Sequence, residues 1–383
     1  MQTDPLLMSS HNLWSRFELS GGLSATLPLD PRPVCGGAAF QDVENVAAST
    51  VADSFFDAVN FKGAFGSVNW LNGWSFVNTH GGFVSSSYTC PTAAEASEPV
   101  SLCPAGVASH TLTTDVTWMP GRIYVMTCQV FVPSGKTLAI GAGTTIYSTP
   151  KAIGGAAPAL VVLKGGKVIA DGTAASPITF TALNPERASS ETVSSDSQYT
   201  ATVLENRGKW GGIIVLGLAP TSASSPLEIE GITGYTYGGN VPTDGSGVMR
   251  YVRVWHGGAI VGANNEINGI TFGGVGSGTV VDHCEVAFNA DDGFEFFGGT
   301  VDVKYLSVLF VGDDAFDTDE GYRGRGQYLF AMTGFGGNHG TEMESMTNGN
   351  LNSQPRSHPA FYSMTIIGGG ASGRTGEIGR AHV

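Results

Sequence analysis

Six carboxylates recur in register within the segment NADDGFEFFGGTVDVKYLSVLFVGDDAFDTDEG, residues 289–321. Asp291 and Asp292 precede Phe294 and Glu295, and Asp313 and Asp314 precede Phe316 and Asp317, with 22 residues between each matched pair. Unit charges ~5 Å apart repel by roughly 3 kcal/mol at an effective dielectric near 20, so such a patch needs neutralising. A Ca²⁺ fits Asp291, Asp292, Glu295, Asp313, Asp314 and Asp317, because carboxylates and carbonyl oxygens are its usual ligands. These six are expected to converge on one ion. Pairing with Arg323, Arg325 or Lys304 is a second solution. Protonated carboxyls with raised pKa, as acid–base catalysis would need, are a third. The plainest alternative is that the aspartates cap turns, with their side chains in water.

The elements that must position these acids are short. From about Tyr124, runs of four to six β-formers alternate with Gly turns, as in VFVPSGKTLAIGAGTTI (130–146) and LVVLKGGKVIADGTAASPITFTA (160–182). The two segments align Gly135 with Gly165 and Gly143-Thr144 with Gly172-Thr173. Approximate repetition at 20–30 residues predicts a β-solenoid, in which matched positions stack ~4.8 Å apart along the axis. Asp313 then lies under Asp291, Asp314 under Asp292, and Asp317 under Glu295. NGITFGG places Asn268, Ile270 and Thr271 above Asp292, Phe294 and Glu295. Phe294 and Phe316 face inward, and the acids face outward or sit at a turn.

Bulk composition agrees with many tight turns. The chain has 383 residues, 55 of them Gly, and a net charge of −14 from 33 acidic and 19 basic residues. Without a Lys/Arg run, nucleic acid is not an expected partner. No segment approaches 18 continuous apolar residues, so no transmembrane helix is expected. Cys35, Cys90, Cys103 and Cys128 are candidate disulfide partners, which four cysteines can satisfy in three ways, and Cys284 is expected as a buried thiol. Residues 1–110 form an irregular N-terminal region, and 111–376 the solenoid. The last residues, EIGRAHV, resemble a translated sequencing adapter. Residues 377–383 are therefore expected to be artefactual and the natural chain to continue, which leaves a C-terminally truncated domain.

GGKVIADGTAASPITFTA, GKWGGIIVLGLAP, NEINGITFGGVGSGT, DDGFEFFGGTV and GDDAFDTDEGYRGRGQ resemble a family of bacterial secreted and surface proteins, often lipoproteins. The resemblance spans roughly residues 54–370. It implies an all-β right-handed parallel β-helix, pectin lyase-like, in an extracellular or cell-surface setting. The family motifs say little about function; on this fold the first functional expectation is a non-catalytic surface or adhesive protein that binds polysaccharide or a cell-surface partner along the helix face, with the calcium expected from the acidic ladder.

The alternative is a carbohydrate-active enzyme. NADD, GDD and NHG loosely resemble polygalacturonase-type motifs, in which Asp292, Asp313 and Asp314 would act as acid and base and His339 would support them. A polysaccharide lyase would instead use calcium on the acids and Arg323 or Arg325 as base. His256 and His283 are expected as strand residues, and Tyr235, Tyr237, Trp210 and Trp255 as either sugar platforms or core.

Overall fold

The computed structural model describes residues 70–71, 73–75, 100–151, 155–183, 206–223, 227–259, 266–334, 337–345, 352–368 and 380–381. All regular elements among them are strands: β1 (Val100–Ser101), β2 (Ser109–Thr111), β3 (Val116–Trp118), β4 (Ile123–Met126), β5 (Gln129–Val132), β6 (Thr137–Ile140) and β7 (Thr145–Ser148). There follow β8 (Ala159–Val162), β9 (Lys167–Asp171), β10 (Ile178–Ala182), β11 (Ile213–Leu216), β12 (Gly247–Arg250), β13 (Val252–Trp255), β14 (Ile270–Gly273) and β15 (Val280–Ala287). The last are β16 (Phe294–Phe297), β17 (Asp302–Leu309), β18 (Phe316–Asp319), β19 (Arg325–Met332), β20 (Thr341–Met343), β21 (Ala360–Ile367) and β22 (Arg380–Ala381).

Every ladder between these strands is parallel, and each pairs a strand with its counterpart in the next coil. Nine strands from β2 to β22 form one wall, and thirteen form the other two. The protein is a right-handed parallel β-helix. No helix among the described residues is long and apolar enough to cross a membrane.

The alternation of the strand sequences explains the walls. In β4, β6 and β7 every second residue is buried, as period-2 side-chain geometry requires. The interior is filled by stacked columns, with Phe294 on Phe316 at 5.9 Å between ring centres and Phe272 on Phe296 at 5.3 Å. Gly135 stacks on Gly165 as the repeat suggested, the Gly135 N–H donating to the Gly165 carbonyl at 2.9 Å. The second glycine match is displaced. Gly143 donates to Ser176 rather than lying over Gly172, because the turn closed between Thr173 and Ser176 inserts residues there.

Two walls fuse in the later coils. β12 and β13 are separate strands, whereas β15, β17, β19 and β21 run through the same corner unbroken. At that corner Tyr251, His283, Tyr305, Tyr328 and Ser363 all adopt φ between 49° and 62°. The left-handed region disfavours such side chains. Here the four rings stack at 4.3–4.5 Å between successive centres, and Trp70 and Trp74 pack edge-on against them. His283 thus lies in a strand, as expected, but at a bend within it. His256 lies just beyond β13, buried against Phe288.

Cys103 and Cys128 form a disulfide, and Cys284 is a buried free thiol. Cys35 and Cys90 lie outside the described residues, as do most of residues 1–99. β1 and β2 already belong to the solenoid walls. In the 377–383 tail only Arg380–Ala381 is described, paired along the backbone with Glu342–Met343.

Candidate functional site: an acidic outer wall

The outward column of the nine-stranded wall changes chemistry along the axis. It begins with Phe131, Val161 and Ile214, continues through Thr271, and becomes Glu295, Asp317 and Glu342. The apolar half is covered by Ile229, Ile232 and Tyr237 from the loop after β11.

A second column runs along the turn that enters this wall: Asn268, Asp292, Asp314 and His339. The Asp292 carboxylate accepts the backbone N–H of Asp314 at 2.8 Å, and Asp314 accepts the backbone N–H of His339. Each aspartate therefore caps the coil after its own. Turn capping holds for these two, with the side chains buried rather than in water. Asn289 supports the same turn by donating to the Asp292 carbonyl at 2.8 Å. Gly312 is required there, because a Cβ on it would lie 1.9 Å from the Ala290 carbonyl oxygen.

The sequence-predicted acids assemble, but not around one point. Their donor atoms fall into three sets, each within 4.8 Å of one another: Asp291 with Asp292 and Asp313, Asp292 again with Glu295 and Asp317, and, separately, Asp314 with His339 and Glu342. A 22-residue coil offsets the turn column from the strand column, so the carboxylates spread along the wall. The His339 Nδ1 lies 3.0 Å from Asp314 Oδ1 and 3.9 Å from Glu342 Oε2.

Desolvation dominates the electrostatics. Burial first, then the Asp317 and Asp291 carboxylates, raise the Asp292 pKa well above its ordinary value. Burial followed by repulsion from Asp317 and Asp292 does the same to Glu295. Burial, then Asp319 and Asp314, act likewise on Asp317. Asp291 is pushed up to about 7 by burial and by Glu230, Asp313 and Glu266. Asp314 reaches about 7 through burial and its contact with the Glu342 carboxyl. Two buried oxygens here, Asp317 Oδ1 and Asn268 Oδ1, have no hydrogen-bond partner.

The expected arginine neutralisation is not what the structure places there. Arg325 lies in β19 of the other sheet and forms a two-pronged contact with Asp302, its Nε 2.9 Å from Oδ1. Arg323 donates to the Arg356 carbonyl at 3.3 Å. Lys304 lies in β17, in register with Asp282 and Gln327. An arginine base for lyase chemistry loses its support for the same reason. The aromatic candidates resolve as packing residues: Trp210 and Tyr237 are buried, Trp255 nearly so, and Tyr235 stacks on Phe131 at 4.8 Å.

Several acids of this wall escaped the sequence reading. Glu342 continues the Glu295–Asp317 column, and Asp319 and Glu320 close the end of β18, where Glu320 contacts the Tyr237 hydroxyl. The alternation in DTD (317–319) and EME (342–344) carried the signal for Glu342, because alternate residues of a strand share a face. Glu230 and Glu266 come from distant loops, and no local pattern marks them.

Fold and face together define a parallel β-helix with a carboxylate wall built across successive coils. The chain belongs to the family described as pectate-lyase like beta helix domain, whose sequence profile matches residues 110–379. No curated protein and no solved structure matches it.

Proposed function

We propose that this protein is an extracytoplasmic β-helix that binds acidic polysaccharide through calcium held on its carboxylate wall. The observation that carries this reading is the convergence of Asp291, Asp292 and Asp313 at a half-open edge of that wall. An all-oxygen donor set suits calcium, and a partly exposed ion keeps coordination positions free for a sugar carboxylate. The family supports a relation to carbohydrate, and the Cys103–Cys128 disulfide supports an oxidising compartment.

Catalysis is the second reading, favoured by one observation: Asp314, with its pKa near 7, touches the buried His339 beside Asp292. Against it, Asp292 and Asp314 both hold backbone N–H groups of the following coil, which is a structural task.

Calorimetric titration of the protein with oligogalacturonate, with calcium and with chelator, tests the proposal. Calcium-dependent binding that Asp313→Asn abolishes is the expected result. Binding indifferent to calcium overturns the calcium bridge. Accumulation of cleaved oligosaccharide, lost in Asp314→Asn, selects the enzyme.

A further inference from the structure

We infer that the wall contains a second, interior cation position, formed by Asp292, Glu295 and Asp317 with the Asn268 amide, distinct from the half-open edge at Asp291 and Asp313. It deepens the calcium reading of the same wall and borrows from it only the choice of ion.

Three facts carry it. The carboxylate donors of Asp292, Glu295 and Asp317 lie within 4.8 Å of one another. Ligands of one Ca²⁺ at 2.3–2.6 Å must lie within a sphere roughly 4.6–5.2 Å across, so these oxygens can share an ion. Second, Asn268 is 1% exposed and its side-chain amide reaches Glu295, yet its carbonyl oxygen has no partner. Asp317 Oδ1 is shielded from solvent and also has none. Both orphans belong to residues beside Glu295, which the Asn268 amide touches and Asp317 faces in register, and a buried acceptor without a donor is costly. Third, Asp292 and Glu295 are each only 7% exposed and Asp317 Oδ1 is closed off from solvent, so all three carboxyls sit where a charge is poorly solvated. A buried anionic group must be paired, bind a metal or take up a proton.

The surroundings select the ion. Every donor is oxygen, and Asp292, Glu295 and Asn268 are each under a tenth exposed. Mg²⁺ dehydrates reluctantly, whereas Ca²⁺ accepts a protein-only cage. Asp292 contributes to both positions, so the two ions would sit on either side of one carboxylate. The interior ion would tie three coils together, through Asn268, the 292–295 pair and Asp317.

The test uses the whole chain, stripped with chelator and then loaded with Tb³⁺ as a luminescent stand-in for Ca²⁺. The expected result is two ions per chain. One should have nearly equal emission lifetimes in H₂O and D₂O, marking a dehydrated interior ion, and the other should show the strong isotope effect of a hydrated one. Asp317→Asn should remove the dehydrated component and leave the hydrated one. Asp313→Asn should do the reverse. Asn268→Ala, which leaves all charges in place, should weaken the dehydrated site at least tenfold. A single hydrated ion in the parent protein overturns the interior site while leaving the calcium–glycan proposal intact. Two hydrated ions overturn it as well. If Asp317→Asn does not fold, the parent lifetimes and Asn268→Ala still decide.

Discussion

Asp317→Asn separates charge from shape at the centre of the wall. Glu295 and Glu342 flank Asp317 in register, one strand spacing (~4.8 Å) away on either side. Two full charges at that distance repel by about 3.5 kcal/mol at an effective dielectric of 20. Proton uptake by Glu295 relieves much of this, leaving about 1–3 kcal/mol to be recovered when the middle charge is removed. Asn has nearly the same volume, and Asp317 Oδ1 makes no hydrogen bond that could be lost. In chelator at pH 8, urea unfolding should therefore show Asp317→Asn more stable than the parent by about 1–3 kcal/mol. Near pH 4 Asp317 and Glu295 are protonated and the advantage should vanish. With millimolar calcium the order should invert, because the parent gains binding energy at both ion positions and the variant only at the Asp291–Asp313 edge. A variant that is less stable than the parent in chelator at pH 8 would refute the repulsion on which the reasoning rests.

The remaining predictions concern the same wall and the core behind it. Asp291, Asp314 and Asp319 have folded-state pKa values of about 7, raised from about 4 chiefly by burial, so the folded chain holds protons that the unfolded chain releases. That stabilisation is fully present below the unfolded pKa and is lost as pH rises towards and through 7. Melting temperatures in chelator should therefore fall between pH 5 and 8, and calcium should flatten the decline. Phe316→Ala opens the column beneath Phe294 and should cost about 3–5 kcal/mol by urea unfolding. Cys103→Ser removes a link across a sequence separation of 25 residues and should cost about 3.5 kcal/mol on loop-closure entropy, with reduction of the parent giving the same loss.

How much of this was legible in the sequence follows from the physics of each feature. The 22-residue step fixes the register of Phe294 on Phe316 and of Glu295 on Asp317, because a parallel solenoid stacks like on like and a one-residue slip would turn every side chain to the wrong face. Gly-punctuated β-forming runs were enough for the β-helix and its interior aromatic column. The same local repetition located most of the acidic wall. It did not separate the acids into distinct sets, because that division depends on the offset between turn and strand columns in three dimensions. Neither could it bring Glu230 and Glu266 beside Asp291, since their long loops carry no period.

Arg325 follows the acids closely in sequence and was a natural counter-charge for them. A few residues of a β-helix suffice to turn a corner, and that corner sends Arg325 to Asp302 on another wall. The bends at Tyr251, His283, Tyr305 and Tyr328 were equally invisible, because the positive φ belongs to a corner that only the closed coil defines, where their rings then stack. Periodic contacts were therefore determined by the sequence alone. Which wall a side chain faces, and whether its charge finds a partner there, was decided only by the closed coil, because burial and pairing depend on residues brought together from several turns of the chain.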